Sequence, residues 1–295
     1  MNQVALQRPF SIKSRLQDYV QLTKFKLALL VVFSAAMGFM TAPGAINWSQ
    51  LLILIVGGFL VTGASNGLNQ VLERELDKKM TRTQNRPLPD QRLGVAEATA
   101  ISLVSGVTGV YMLAFGINLY AGLLGLFALL SYAFIYTPLK RKTPFCVFIG
   151  AIPGAVPPLL GWVAATGHFG MAGWVLFAIQ FLWQFPHFWA IGYLSYDQYH
   201  KAGYKLLPEE DGAIDRRLGR QALIYTCMMI PVIVLGFTSH LLSVTGLAGM
   251  ILLTGYFLYK AWRFYKVFDR ATAKALMFSS FIYLPIALML LWLGM

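Results

Sequence analysis

Gly63-Ala-Ser-Asn-Gly-Leu-Asn-Gln-Val-Leu-Glu-Arg-Glu-Leu-Asp77 begins as the end of an apolar run and turns polar along one side only. At about 100° per residue, Asn66, Asn69, Glu73 and Asp77 fall at roughly 0°, −60°, −20° and +20°, a strip about 80° wide along three turns of a single helical face. The uncharged residues 49-68 that lead into it are long enough to cross a hydrocarbon core of about 30 Å. An ordinary helix end emerging into headgroups spreads its polar residues round the cylinder and pairs acids at (i, i+4), such as Glu75 with Lys79. It has no reason to bury Asn66 and Asn69 in the apolar end of a span.

Outward from this stretch, the chain repeats the apolar pattern. Nine runs are expected to span a membrane, at about 27-43, 49-68, 98-117, 119-138, 145-165, 170-195, 221-239, 243-259 and 275-294. With 57% hydrophobic and 12% charged residues there is too little polar surface to coat a soluble globule of 295 residues. All 24 Lys and Arg and all 12 Asp and Glu lie in the segments 1-26, 70-97, 139-144, 196-220 and 260-274, whereas the links around Gly44, Ile117, Gly167 and His240 hold no formal charge. The positive-inside rule then puts the N-terminal arm 1-26 and every basic loop in the cytoplasm, with the C-terminus on the far side. The reading is all-α: one domain, 1-295, of nine transmembrane helices around a central pocket open to the cytoplasmic side, with loops 70-97 and 196-220 over the site.

The net charge of +12 is dispersed next to helix ends, where it sets orientation and meets anionic headgroups of the lipid bilayer; no nucleic acid partner is expected. Cys146 and Cys227 lie in apolar runs without C-x-x-C spacing, which leaves no disulfide frame and no covalent haem attachment. No short apolar region with a cleavage site precedes the first run, so that run is expected to serve as its own insertion signal.

Three constellations carry chemistry. In the first, Asn69, Glu73 and Asp77 are hard oxygen donors of the kind Mg²⁺ takes while keeping waters and bridging to substrate phosphates, and Asn66 extends the strip. The cations Lys78, Lys79, Arg82 and Arg86 follow, with Pro87 and Pro89 expected to stop the helix. In the second, Gln180-Phe-Leu-Trp-Gln-Phe-Pro-His-Phe-Trp189 puts His187 at membrane depth beside Trp183 and Pro186, which is tolerated only beside protein or a watery cavity. His187 is thus a functional candidate, with a satisfied structural hydrogen bonder as the alternative. Tyr196 and Asp197 follow this run. The third joins Lys140, Arg141 and Lys142 to the proline-interrupted span Gly150-Ala-Ile-Pro-Gly-Ala-Val-Pro-Pro158. There the cations are either topology determinants or anion binders, and the span allows close helix approach or a local break. Glu209, Glu210, Asp211 and Asp215 read as solvated.

Asn69-x₃-Glu73-x₃-Asp77 resembles the first Asp-rich motif of the UbiA-type intramembrane prenyltransferases, with Glu73 in place of the usual Asp. Together with Lys79-Met-Thr-Arg-Thr-x-x-Arg86-Pro-Leu, Tyr136-Thr-x-x-Leu-Lys-Arg, Gly154-Ala-x-Pro-Pro-Leu-x-Gly-Trp162 and Trp183-Gln-x-Pro-His-Phe188, it is similar within that superfamily to the protohaem IX farnesyltransferase (haem O synthase) family. Only Asp197, with His200 and Lys201 nearby, stands where many superfamily members carry a second acidic cluster, and haem O synthases resemble each other in lacking the full cluster. The segment Leu22-Thr-Lys-Phe-Lys26 differs from the family's commoner Leu-Thr-Lys-Pro-Arg.

The resemblance implies transfer of the farnesyl group of farnesyl diphosphate to a vinyl carbon of haem b, with water addition and loss of diphosphate. It implies Mg²⁺ on Asn69, Glu73 and Asp77, leaving-group cations Arg82 and Arg86, and Asn66 as a direct or orienting ligand. Lys78, Lys140, Arg141, Trp183, Tyr196 and Asp197 are expected on the substrates, and His187 as haem ligand or proton acceptor. It also implies a bacterial inner membrane and a haem A synthase or oxidase-assembly partner. The alternatives are a prenyltransferase acting on an aromatic quinone or chlorophyll precursor, which a second acidic cluster in place of Pro186-His187-Phe188 would mark, and a transporter, which would be expected to have gates on both faces.

Overall fold

The computed structural model describes residues 12–294, so the start of the expected arm, residues 1–11, lies outside the described residues. The helices are α1 (Ile12–Leu22), α2 (Phe25–Met40), α3 (Trp48–Asp77), α4 (Val95–Gly116), α5 (Leu119–Leu139), α6 (Cys146–Thr166), α7 (Met171–Leu194), α8 (Tyr196–Ala202), α9 (Arg217–Thr238), α10 (Val244–Val267) and α11 (Arg270–Leu293). A hairpin, β1 (Glu209–Glu210) with β2 (Ala213–Ile214), sits in the loop before α9. Among the described residues, eight helices are long and apolar enough to cross a membrane, and α2 together with α1 makes a ninth across a bend of 50°.

On the charge-free side the links are short because polar caps start the next helix at once. Asn47, Asn118 and Ser243 each accept from a backbone N–H three residues on, satisfying donors that a helix start leaves orphaned. Asp269 does the same for α11 on the basic side, within a full capping box.

The spans present leucine, valine and phenylalanine outward, as at Leu103, Val104 and Val107 of α4. Lipid tails are as apolar as these side chains, so helices associate through close backbone approach at small residues. The crossing of α2 and α6 shows this. A Cβ at Gly38 would overlap the Pro158 carbonyl, and one at Gly161 would overlap that of Ala35.

One alternative is decided here and one expectation changes. The proline-interrupted span makes the close approach but not the break: α6 stays helical through Pro153, Pro157 and Pro158. Pro158 has no N–H to give the carbonyl of Gly154, and Gln180 Nε2 on α7 donates to that carbonyl instead, at 2.7 Å. Pro87 and Pro89 do not stop α3 either, because the helix ends at Asp77, where Thr83 Oγ1 folds back to donate to the Asp77 carbonyl at 2.8 Å.

Candidate active site

The strip faces the interior. Asn66, Asn69, Glu73 and Asp77 are 2%, 1%, 5% and 1% exposed, so none is turned to lipid. Asn66 Nδ2 donates to the Thr23 carbonyl at 3.0 Å, and Gln70 Nε2 donates to the carbonyls of Gln21 and Leu22 at 3.1 and 2.7 Å. These bonds use the carbonyls left free at the end of α1 and hold the bend into α2 against the strip. Asn69 Nδ2 donates to Glu73 Oε2 at 2.7 Å and to Thr137 Oγ1 at 3.1 Å. Thr137 follows a π-helical turn, Ser131–Tyr136, whose wider winding lies just before Thr137 and Lys140 of the third constellation.

Each of the other three members of the strip meets one cation. Lys24 Nζ donates to Asn69 Oδ1 at 3.1 Å, Lys140 Nζ lies 2.8 Å from Glu73 Oε1, and Arg86 NH1 lies 2.7 Å from Asp77 Oδ2. Lys140 and Arg86 offset the carboxylates of Glu73 and Asp77, and Lys24 meets only the neutral Asn69 amide. Burial is the largest single influence on Lys140 and works against its charge, yet the Glu73 carboxylate and the phenols of Tyr132 and Tyr199 together outweigh it and its pKa is raised overall. Burial, and after it the Glu73 and Asp77 carboxylates, pushes the Tyr204 phenol up, so Tyr204 stays protonated beside the acids.

The residues fit a divalent cation. Lys140 donates to Glu73 Oε2 at 3.0 Å and its ammonium lies 2.8 Å from the buried Oε1, so the carboxylate is held by a cation whose place a metal ion would take. A buried carboxylate held in this way is a donor for a hard ion once the ammonium turns to an anion. Among the described residues no three His, Cys, Asp or Glu side chains form a ready metal cage. The donor set is two carboxylates and an amide, the kind of partial coordination that Mg²⁺ completes with waters and substrate phosphate.

Beneath the strip lies a cavity of about 130 Å³. That is roughly ten times what one water needs, enough for a chain rather than for solvent alone. Asn66, Ser65 and Tyr132 are among its polar lining; Leu27, Val61, Leu113 and Leu160 are among its apolar lining. Leu113, fully buried, packs against Gly57 and Gly125 deep in the membrane region. Asn66 belongs both to the strip and to this cavity.

The other expected residues divide. Arg82 is exposed and donates to the Tyr199 hydroxyl at 3.0 Å, linking the loop after α3 to α8, while the Lys205 N–H donates to the Lys140 carbonyl at 2.7 Å. Lys78 is not brought to the strip: it is exposed and pairs with Glu75 at 2.9 Å, taking the place expected for Lys79. Arg141 and Asp197 are exposed, and Tyr196 is half-buried with its ring 5.7 Å from that of His200. Trp183 and His187 form a second group on α7, stacked at 4.6 Å, with Trp183 Nε1 donating to the Ser280 carbonyl at 2.8 Å and His187 Nδ1 lying 2.7 Å from Ser280 Oγ.

Lys24, Gln70, Thr137, Tyr204 and Ser280 were not singled out from the sequence. Gln70 is four residues beyond Asn66 on the strip's own edge, and Lys24 is the other lysine of Leu22-Thr-Lys-Phe-Lys26, so both carried a signal. Thr137 lies within the quoted stretch Tyr136-Thr-x-x-Leu-Lys-Arg, whereas Tyr204 and Ser280 arrive from distant elements and carried none.

Residues 29–283 match the model of the UbiA prenyltransferase family. The chain is 44% identical to the protoheme IX farnesyltransferase of Cytophaga hutchinsonii, over 92% of this chain and 96% of that one. It is 35% identical to the mitochondrial protoheme IX farnesyltransferase of Homo sapiens, over 92% of this chain and 60% of that one. Its fold is similar to a structure solved in work on digeranylgeranylglyceryl phosphate synthase, with TM-score 0.81, 20% identity and coverage of 95% and 98%. It is also similar to a UbiA homologue from Archaeoglobus fulgidus bound to DMAPP and Mg²⁺, with TM-score 0.63, 15% identity and coverage of 93% and 99%.

Proposed function

The chain belongs to the UbiA prenyltransferase family and stands among the protoheme IX farnesyltransferases, and on that premise we propose that it transfers the farnesyl group of farnesyl diphosphate to a vinyl carbon of haem b. Water adds to the new side chain, giving haem O, and diphosphate leaves. The names of the relatives favour this acceptor over an aromatic ring. The observation that carries the reading is the position of Asn66, where an inward strip of acids and amides meets the mouth of an apolar cavity.

Ionising an allylic diphosphate requires stabilisation of the charge that builds on its leaving oxygens. Lys24, Lys140 and Arg86 receive the diphosphate, and Arg82 closes over it from the rim through Tyr199. Asn69, Glu73 and Asp77 would hold Mg²⁺, which would supply positive charge to stabilise the leaving group. Asn66 orients this end of the strip while Val61, Leu113 and Leu160 take the isoprenoid chain and keep water from its reactive carbon. Exposed Arg141 and Lys78 offer charge to the haem propionates or the incoming diphosphate; Trp183, Tyr196 and Asp197 bound the acceptor side. His187 supplies a nitrogen to haem.

The loops 70–97 and 196–220 cover the site, and the basic segments put it at the cytoplasmic face of a bacterial inner membrane. The product is too apolar for water, which favours direct transfer to an oxidase-assembly partner. Membranes containing the chain, given haem b, farnesyl diphosphate and Mg²⁺, are expected to yield a porphyrin heavier by one farnesyl and one hydroxyl group, with a proton released. A product lacking that mass gain refutes the reading.

A further inference from the structure

Ser280, in the middle of α11 and fully buried, takes part in three contacts that fix the state of His187. Its hydroxyl lies 2.6 Å from the Met277 carbonyl, its Oγ lies 2.7 Å from His187 Nδ1, and its own carbonyl accepts from Trp183 Nε1 at 2.8 Å. A serine hydroxyl has one proton to give. An oxygen–oxygen separation of 2.6 Å is ordinary for O–H···O and repulsive with no hydrogen between the atoms. The Ser280 proton therefore points at Met277, and toward His187 the oxygen is an acceptor.

The proton between Oγ and the ring must then belong to Nδ1. A neutral imidazole with Nδ1–H keeps its lone pair on Nε2. No hydrogen bond from the described residues reaches Nε2. Trp183 stacks on one face at 4.6 Å with 17° between planes and Phe281 meets the ring edge-on at 5.1 Å, which holds its plane, and a half-turn within that plane would give up the bond from Nδ1 to Ser280. Trp183 is itself pinned by the Ser280 carbonyl, so one residue of α11 governs both the plane of the imidazole and its rotation.

We propose that Ser280 is a positioning residue that holds His187 as the Nδ1–H tautomer, with the Nε2 electron pair open to the haem-type acceptor. With the other tautomer, Nε2 carries a hydrogen and can neither bind iron nor take a proton. The functional half of this proposal rests on the acceptor assigned above; the tautomer half stands on Ser280, His187 and Met277 alone.

The test reads the two halves separately. The chain has four histidines, so protein labelled with ¹⁵N-histidine and reconstituted in nanodiscs gives few ring resonances, and His187→Gln identifies the one that matters. Without substrate, His187 is expected to show a protonated, pyrrole-type Nδ1 and a pyridine-type Nε2. Ser280→Ala should shift both nitrogens toward an averaged mixture, and Ser280→Thr should return them. In turnover, Ser280→Ala is expected to lower kcat about tenfold with the KM for farnesyl diphosphate unchanged, the usual scale for loss of a hydrogen bond that orients a ligating histidine, with recovery in Ser280→Thr. A wild-type ring protonated on Nε2, or one doubly protonated at neutral pH, overturns the proposal even if Ser280→Ala fails to fold. An unaltered kcat in a folded Ser280→Ala overturns its functional half. Absence of any haem product from wild-type protein refutes the acceptor assignment instead, and the substrate-free resonances tell the two failures apart.

Discussion

Lys140 Nζ lies 2.8 Å from Glu73 Oε1, joining the loop after α5 to the polar strip of α3 across 67 positions of sequence. The lysine side chain is 11% exposed and the glutamate 6%, so each charge depends on the other. Glu73→Ala strands a buried ammonium and is expected to cost about 3–5 kcal/mol, the scale for breaking a buried pair from one side. Adding Lys140→Met should recover most of the lost thermal stability in detergent and none of the product formation. A double variant that regains turnover shows that the pair is only structural.

Asp77→Ala is expected to abolish haem O formation, by at least about a hundredfold, while insertion into the membrane is retained. Asp77→Asn keeps shape but not charge, so it should raise the Mg²⁺ concentration needed for half-maximal rate, and chelation of the metal should silence wild-type protein reversibly. Wild-type Mg²⁺ dependence in Asp77→Asn excludes that carboxylate as a donor.

Leu113 lies deep in the cavity below Asn66. Leu113→Ala opens that end and is expected to raise kcat/KM for geranylgeranyl relative to farnesyl diphosphate about tenfold, the value of a few methylenes in an apolar pocket. Leu113→Phe should shift preference toward geranyl. Competition assays with mixed diphosphates measure both ratios, and unaltered ratios place the chain elsewhere.

Gly38→Ala puts a methyl into the carbonyl of Pro158, where backbone cannot yield as a side chain can. A loss of about 1–3 kcal/mol is expected from overpacking, seen as a lower unfolding temperature in detergent. Gly255→Ala serves as the control, since nothing lies within 4 Å of the added carbon. Equal stability of the two variants shows that the crossing of α2 and α6 is loose.

The strip was legible because helical periodicity is local: Asn66, Asn69, Glu73 and Asp77 share a face whatever surrounds them. Its partners Lys140 and Tyr204 were not, because the sequence does not say which distant loop folds over which helix. Arg86 was read as a leaving-group cation and pairs with Asp77. Lys78 was grouped with it but lies nearly opposite Glu73 on the helix, toward Glu75. Proline signals misled once and left one choice open. Pro87 and Pro89 came ten residues too late to end α3, and Pro158 left α6 intact because a glutamine from α7 answered its missing hydrogen bond. Ser280 gave no signal, since a serine bonding back to its own helix is common in apolar spans.

The resting cluster is mutually quenched, with Lys24 on Asn69, Lys140 on Glu73 and Arg86 on Asp77. A bare metal ion arriving there finds its acids already spoken for, and a bare diphosphate finds its cations equally engaged. A metal-diphosphate complex satisfies both sets in a single exchange of partners. On the assignment proposed above, joint arrival is thereby favoured over stepwise loading, and the same quenching would deter free pyrophosphate or stray divalent ions.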